Sequence, residues 1–518
     1  MNFFFDFIFL GPELFLILNF INIIFFFSFL KKTNFNTFSG LTYLIYLLKF
    51  CTILILLTGF LSLNMWEVIH NNSVYLIFNT IKKSTINFLI QNLIIICSVL
   101  FLMYLKTYLT YTQLTDLTLE YIYIIILNIW GFMLLVTTND LLFLFFMFEF
   151  TSFGIYILIN YNIVNNKAIE SGIKYFIFGA IISSILLFAI FLIYICLGTT
   201  NFDDINLLLN FISIRDSNIW VFFVSLSILL IFLAIIFKLG LFPFHFWPPM
   251  IYDGISYRSL LYIFSIPKLS YLYLILNFYY NLFFEYLTYS SYILTLTAIL
   301  SIIIGSLSAL TQTKLKKLLS FSGIVNFGYI ILLITTTSGY DLIYIILSLG
   351  IYISNIYLLF FLILYISKYK LSNNLSLTYI SELKTLKSKN FIFCIIFAQV
   401  VLSLSGFPPF GGFFVKYLLL LNLLYTNSYF IFILFLVINV ISSFYYIRLI
   451  RLLFFNKIPN IDFYQYYGQH NNSNLQFKQN LTSTNTGLIL VYFIWFIFNI
   501  YIWLNPDLVY FYLCYLLF

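Results

Sequence analysis

Charge is what this sequence has least of. Only 8% of its 518 residues are Asp, Glu, Lys or Arg, against about one-quarter in a soluble domain, which excludes an ordinary water-facing globule. Cysteine is equally uninformative as chemistry: the five residues (Cys51, Cys97, Cys196, Cys394, Cys514) are scattered without CxxC spacing. They read as buried apolar side chains rather than disulfides or cluster ligands. No GxGxxG, Walker or His-rich pattern is present among residues 1–518, so nucleotide or metal chemistry is not expected of the chain. What it has instead is apolar surface. Composition is 63% hydrophobic, mean hydropathy is +1.04, and there are 66 Phe and 43 Tyr. Such Phe-, Tyr-, Ile- and Asn-rich usage is what A/T-rich codons encode and points to an organellar genome.

Apolar runs of membrane-spanning length recur at 3–30, 41–64, 86–105, 119–137, 141–160, 169–197, 219–254, 257–281, 286–311, 319–337, 341–366, 390–426, 428–454 and 486–514. The expectation is an all-α polytopic membrane protein of about fourteen transmembrane helices. The first run lacks a basic start and a small-residue cleavage site and carries Asp6 and Glu13, so it reads as a span rather than a signal peptide.

Two runs are too long to be plain spans. At 1.5 Å per residue, 219–254 and 390–426 would each extend roughly 50 Å, against a hydrocarbon core of about 30 Å. Both are interrupted by proline beside glycine, LGLFP at 239–243 (Pro243) and SGFPPFGG at 405–412 (Pro408, Pro409). Each also carries one lysine near its break, Lys238 and Lys416. Proline removes a backbone donor and clashes with the preceding turn, and carbonyls so freed survive in lipid only where protein or water surrounds them. Interrupted spans at corresponding places in two halves predict two inverted-topology repeats with two discontinuous helices. The organisation then reads as three N-terminal helices (1–110), a first repeat (111–281), a second repeat (286–455), a polar loop (456–485) and a C-terminal helix (486–518).

Basic residues set the orientation. Of 25 Lys and Arg, seventeen fall in one set of loops, Arg258 among them, and three (Lys82, Lys83, Arg215) in the other, leaving five inside spans. That bias places both termini on the outer side and accounts for the +8 charge without nucleic acid. The five are Lys49, Lys174, Lys238, Lys268 and Lys416. Lys49 lies near a helix end and can snorkel, as can Lys174, five residues into its run; Lys238 and Lys268 lie deeper and cost about 3 kcal/mol each at bilayer centre. Glu149 stands alone among the acids inside LLFLFFMFEFTSFGIYILI. Its helix and that of Lys174 are consecutive and can pack antiparallel, so a Glu149–Lys174 pair is expected, either as a static lock between helices or as a moving part. Lys238, Lys268 and Lys416 have no dedicated acid and read as a proton relay. His245 is a second-rank member that can equally bond exposed carbonyls.

The stretches FKLGLFPFHFWPPMIYDG, IPKLS at 266–270, QTKLKKLLSFSGIVNFGY at 312–329 and LSGFPPFGGFFVKY at 404–417 resemble the antiporter-like membrane subunits of respiratory NADH–ubiquinone oxidoreductase. LGPELFLIL, ESGIKYFIFGAIISSILLF and GTTNF at 198–202 are similar to the subunit 2 branch of that family. The resemblance implies that Glu149 matches the family's fifth-helix glutamate, Lys174 its sixth-helix lysine and Lys238 the lysine of its broken seventh helix. Lys268 would match the central eighth-helix lysine and Lys416 the lysine of the broken twelfth helix. It further implies proton passage from matrix to intermembrane space, driven by electron transfer elsewhere. No cofactor would be bound in this chain; NADH, FMN, iron–sulfur clusters and ubiquinone would reside in other subunits. Its partners would be other membrane-arm subunits, neighbouring antiporter-like ones especially, within the mitochondrial inner membrane. The chain departs from the family at Asn326, where histidine is usual, and at Pro249–Met250, where Pro-Asp is usual. Asn cannot titrate, which puts a proton route through position 326 in doubt. A stand-alone cation/proton antiporter and a purely structural membrane subunit are the alternative functions.

Overall fold

The structure is a computed structural model that describes residues 3–30, 37–66, 73–112, 119–161, 166–214, 218–336, 342–368, 378–386, 391–455, 492–493 and 495–501. It divides into two compact units, one chiefly of residues 1–305 and 320–342, the other of 306–319 and 343–514. The helices of the first half are α1 (Phe3–Phe9), α2 (Gly11–Leu30), α3 (Thr37–Asn64), α4 (Thr85–Thr112), α5 (Leu119–Thr137), α6 (Leu141–Asn160), α7 (Asn166–Leu197), α8 (Phe202–Ile214), α9 (Asn218–Leu239), α10 (Trp247–Gly254) and α11 (Tyr257–Asn277). There follow α12 (Leu287–Thr311), α13 (Leu315–Thr336), α14 (Leu342–Lys368), α15 (Phe391–Ser405), α16 (Gly411–Tyr425) and α17 (Tyr429–Phe454).

Eleven of these helices are long and apolar enough to cross a membrane. The expected break at 219–254 separates α9 from α10, and that at 390–426 separates α15 from α16. The polar loop at 456–485 lies outside the described residues, as does most of the last run. Burial of these spans follows polarity, in the way lipid dictates. The least apolar span, Tyr257–Leu282, is wholly buried, while the two most apolar, Asn166–Leu197 and Ile219–Leu239, are less than half buried. Since acyl chains are as apolar as leucine, the helix with most polar groups is the one withdrawn from them.

One feature of the first unit has no apolar run to announce it. Residues 74–83 form a two-stranded antiparallel hairpin, β1 (Val74–Leu76) with β2 (Ile81–Lys83), pairing Val74 with Lys83 and Leu76 with Ile81. The hairpin is tied down by charge. Lys83 Nζ lies 2.7 Å from Glu13 Oε1 and donates to Phe9 O at 2.7 Å, with both side chains at most 5% exposed. Gln91 Nε2 on α4 donates to Glu13 Oε1 (2.9 Å) and to Met133 O (3.1 Å). Lys82 pairs with Asp203 at 2.6 Å. Two of the three basic residues in the less basic set of loops, Lys82 and Lys83, are therefore engaged with acids, and Lys83 is buried rather than a free loop residue.

Candidate functional site

At the first break α9 ends on Gly240, which adopts φ +74°. Its N–H donates to Phe237 O (2.8 Å) and that of Leu241 donates to Ile236 O (3.2 Å), the paired closure that a left-handed glycine allows at a helix end. Two carbonyls beyond that closure are satisfied from another helix. Lys268 of α11 donates to Lys238 O at 3.2 Å and, more closely, to Leu239 O. Phe237 O takes a second donor, Trp247 Nε1, at 2.9 Å. Lys268 is 3% exposed, and its ammonium lies 5.7 Å from the Trp247 ring and 5.2 Å from that of Phe327. Phe327 is the neighbour of Asn326 on α13.

Lys238 is held differently. Only 2% exposed, its Nζ is buried without a hydrogen-bond partner. It lies 4.6 Å from the centre of the Phe148 ring and 5.9 Å from those of Tyr156 and Tyr175. Aromatic faces attract a desolvated ammonium by about 2 kcal/mol. Glu149, next to Phe148 on α6, acts on Lys238 electrostatically without ion-pair contact among the described residues, and accepts from Ser152 Oγ at 3.4 Å.

The second break repeats the closure. Gly406 has φ +78°; its N–H donates to Ser403 O (3.1 Å) and that of Phe407 donates to Leu402 O (3.1 Å). Lys416, on the resumed half-helix α16, donates to Ser405 O at 2.8 Å and to Ser442 Oγ at 3.5 Å. A Cβ on Gly406 would fall 2.6 Å from Lys416 Cδ, so any larger residue would push the lysine from its present position. Ser403 Oγ bonds Asn355 Oδ1 (3.1 Å), which also accepts from Trp495 Nε1 (3.0 Å). Each break contains a cis peptide, Phe242–Pro243 and Pro408–Pro409.

Several sequence expectations need correction. The Glu149–Lys174 pair does not form: α6 and α7 do pack, but Glu170, one turn before Lys174 on its own helix, reaches the ammonium at 2.5 Å. Those two side chains are 62% and 42% exposed. The lysine nearest the first break along the sequence, Lys238, is not the one that reaches its carbonyls; Lys268 is. His245 bonds no carbonyl through Nδ1, which is buried without a partner, and its ring stacks on Phe242; Trp247 takes the carbonyl instead. Arg258, counted with the loops, is buried in the first turn of α11.

Two interrupted spans, each with lysine ammonium on the carbonyl end of its first half-helix, define an antiporter-type membrane fold. The family described as "NADH:quinone oxidoreductase/Mrp antiporter, TM" matches residues 138–442, and the chain belongs to it. Over 376 residues it is 31% identical to NADH-quinone oxidoreductase subunit N of Pelagibacter ubique, covering 73% of this chain and 76% of that protein. NADH-ubiquinone oxidoreductase chain 2 of Arabidopsis thaliana is 32% identical, covering 65% of this chain and 66% of that protein. Among solved structures, a chain of respiratory complex I from Thermus thermophilus matches with TM-score 0.62 at 22% identity, covering 82% of this chain and 91% of that one. A chain of the Mrp complex from Dietzia matches with TM-score 0.72 at 17% identity, covering 87% of this chain and 80% of that one. These two likenesses show the fold.

Proposed function

We infer that this chain is the subunit N/chain 2 type of membrane-arm subunit in NADH:quinone oxidoreductase, and that it moves protons through Lys238, Lys268 and Lys416 with Glu149 as their acidic neighbour. The observation that carries the reading is the contact of a lysine ammonium with the freed carbonyl end at each break, Lys268 fully buried and Lys416 half-buried. A half-helix C-terminus carries partial negative charge that favours an ammonium. Lys268 on those carbonyls and Lys238 among aromatic rings are two ammonium sites at one break. Like charges in low dielectric repel, so a proton gained at one site favours loss at the other. Glu149, near Lys238, sets which site holds the charge. In the second half Lys416 holds the corresponding proton against Ser405 O and Ser442. Lys174, paired with Glu170 on an exposed face, stands outside this set.

Electron transfer belongs to partner subunits, where NADH, FMN, iron–sulfur clusters and ubiquinone are expected, and the chain supplies only charge movement. The mitochondrial inner membrane, with both termini on the intermembrane-space side, is the location that best fits the basic-residue bias. In the assembled enzyme, Lys238→Met should lower the protons moved per NADH oxidised; wild-type pumping and electron transfer would refute the relay. The second half of the family's description favours one other reading, a stand-alone cation/proton antiporter. Transport by the isolated, reconstituted chain would support that alternative, and co-purification with NADH-oxidising activity in a large complex would support the first.

A further inference from the structure

Besides Lys83, which is paired with Glu13, the described residues of the first unit include another buried cation that the proton path does not use. Arg258 is 3% exposed, and its Nε and Nη1 are buried without hydrogen-bond partners. Its guanidinium lies 4.5 Å from the centre of the Tyr108 ring and 5.8 Å from that of Tyr121. The hydroxyl of Tyr121 beside it is also buried and unpartnered, as is that of Tyr262, one turn further along α11. Tyr262 and Tyr121 interact electrostatically with each other. No acid is paired with Arg258 among the described residues. A buried charge without a counter-charge is strongly unfavourable, and aromatic faces compensate only part of it.

The position of the group says what the counter-charge is. The span Thr85–Thr110 ends here, Leu119–Thr137 begins here, and Tyr257 opens the span that carries Arg258. This is the level of lipid headgroups. A guanidinium has donors and no acceptor, so the missing partner is acceptor-rich and anionic. Basic pockets between spans are where acidic headgroups bind, and arginine matches phosphate oxygens better than lysine does.

We propose that Arg258, Tyr121 and Tyr262 form a binding site for the phosphate group of an anionic phospholipid, set where the ends of α4, α5 and α11 meet. The lipid would complete the charge balance of α11, the helix that carries Lys268. The test uses the assembled enzyme, purified in mild detergent, with bound phospholipid counted by native mass spectrometry. Delipidated enzyme is then supplied with phosphatidylglycerol vesicles, phosphatidylcholine vesicles or inorganic phosphate. Arg258→Gln should lose one retained anionic phospholipid and bind phosphatidylglycerol about tenfold more weakly, with Arg258→Lys intermediate. If Arg258→Gln fails to assemble, the double variant Tyr121→Phe, Tyr262→Phe carries the test, since it keeps both rings and the guanidinium. It should weaken retention by about threefold. Unchanged retention in that double variant overturns the site. Equal stabilisation by inorganic phosphate in the absence of lipid overturns the lipid assignment and names a free anion instead. Asp116 lies in the 113–118 connection outside the described residues; loss of retention in Asp116→Asn equal to that in Arg258→Gln would mean that the chain supplies its own counter-charge, and would also overturn the proposal.

Discussion

The two breaks close with the same backbone device and fill it from different places. Leu239 O and Ser405 O are equivalent carbonyls, each the last before a left-handed glycine. At the second break the ammonium that binds this carbonyl comes from the resumed half-helix, eleven residues on. At the first it comes from a separate helix, 29 residues on. Lys268 and Lys416 are therefore counterparts by contact, although Lys238 and Lys416 look like counterparts along the sequence. The position of Lys238, two before the glycine, is Leu404 in the second half. Equivalence in a repeated fold is thus better judged by the carbonyl a side chain satisfies than by its distance from a proline. The first break carries an extra ammonium, Lys238, held by rings rather than by hydrogen bonds.

Replacing the two counterparts should break function most. Lys268→Met strands two carbonyls, Lys238 O and Leu239 O, whereas Lys416→Met strands one. Each unsatisfied buried carbonyl costs about 1–3 kcal/mol, so thermal melting of the assembled enzyme should fall further for Lys268→Met. Both should slow coupled proton pumping by about a hundredfold, the scale of a lost proton-transfer group. Pumping at wild-type rate in either variant, measured in proteoliposomes, would break the assignment of that residue as a counterpart.

The glycines sharpen the same comparison at smaller cost. Alanine at Gly240 or Gly406 must adopt φ near +74° or +78°, at a cost of about 1–2 kcal/mol. Stability should drop in both, and further at Gly240, whose new methyl falls on the rigid Pro248 ring. Function should follow the opposite order: the new methyl at 406 would sit on Lys416 Cδ, while that at 240 meets Pro248 and Trp247. Gly406→Ala is expected to reduce pumping more than Gly240→Ala. Equal losses would show that the backbone strain, not the lysine, carries the effect. A milder probe is Trp247→Phe, which removes one of the two donors to Phe237 O and should cost about 1 kcal/mol with pumping retained.

Sequence reading reached the spans and the breaks because membrane helices leave long apolar runs and proline leaves a mark in them. Both broken helices and the positions of Lys238, Lys268 and Lys416 were legible that way. What stayed hidden were contacts made across helices. Nothing in IPKLS tells that Lys268 reaches back to Leu239 O, since a lysine's reach is set by packing. Arg258 looked like a loop residue because it lies at the edge of an apolar run; only the burial of α11 on every side shows otherwise. The hairpin at 74–83 was missed because strands of three residues have no periodicity to read. Glu13 and Lys83, 70 residues apart, could not be joined without it. The Glu170–Lys174 contact, by contrast, is legible in the sequence, because four residues is the spacing of a helical ion pair.

That pair gives the smallest expected effect and tests where the charge array of the first half ends. Resemblance implies that Lys174 belongs to the array; its contact with Glu170 and its exposed face argue for a separate role. If the array consists of Glu149, Lys238 and Lys268, then Lys174→Gln should change pumping by less than about twofold, as expected for an exposed ion pair. His245→Gln should do no more, because its ring stacks on Phe242 and leaves the break carbonyls to Trp247 and Lys268. Glu170→Gln decides the matter, because it releases Lys174 from its surface partner. A released lysine that belongs to the array would turn toward Glu149 and alter the pH dependence of pumping. One that does not would leave the profile where it was, which is the outcome expected from the side chain's present partner and exposure.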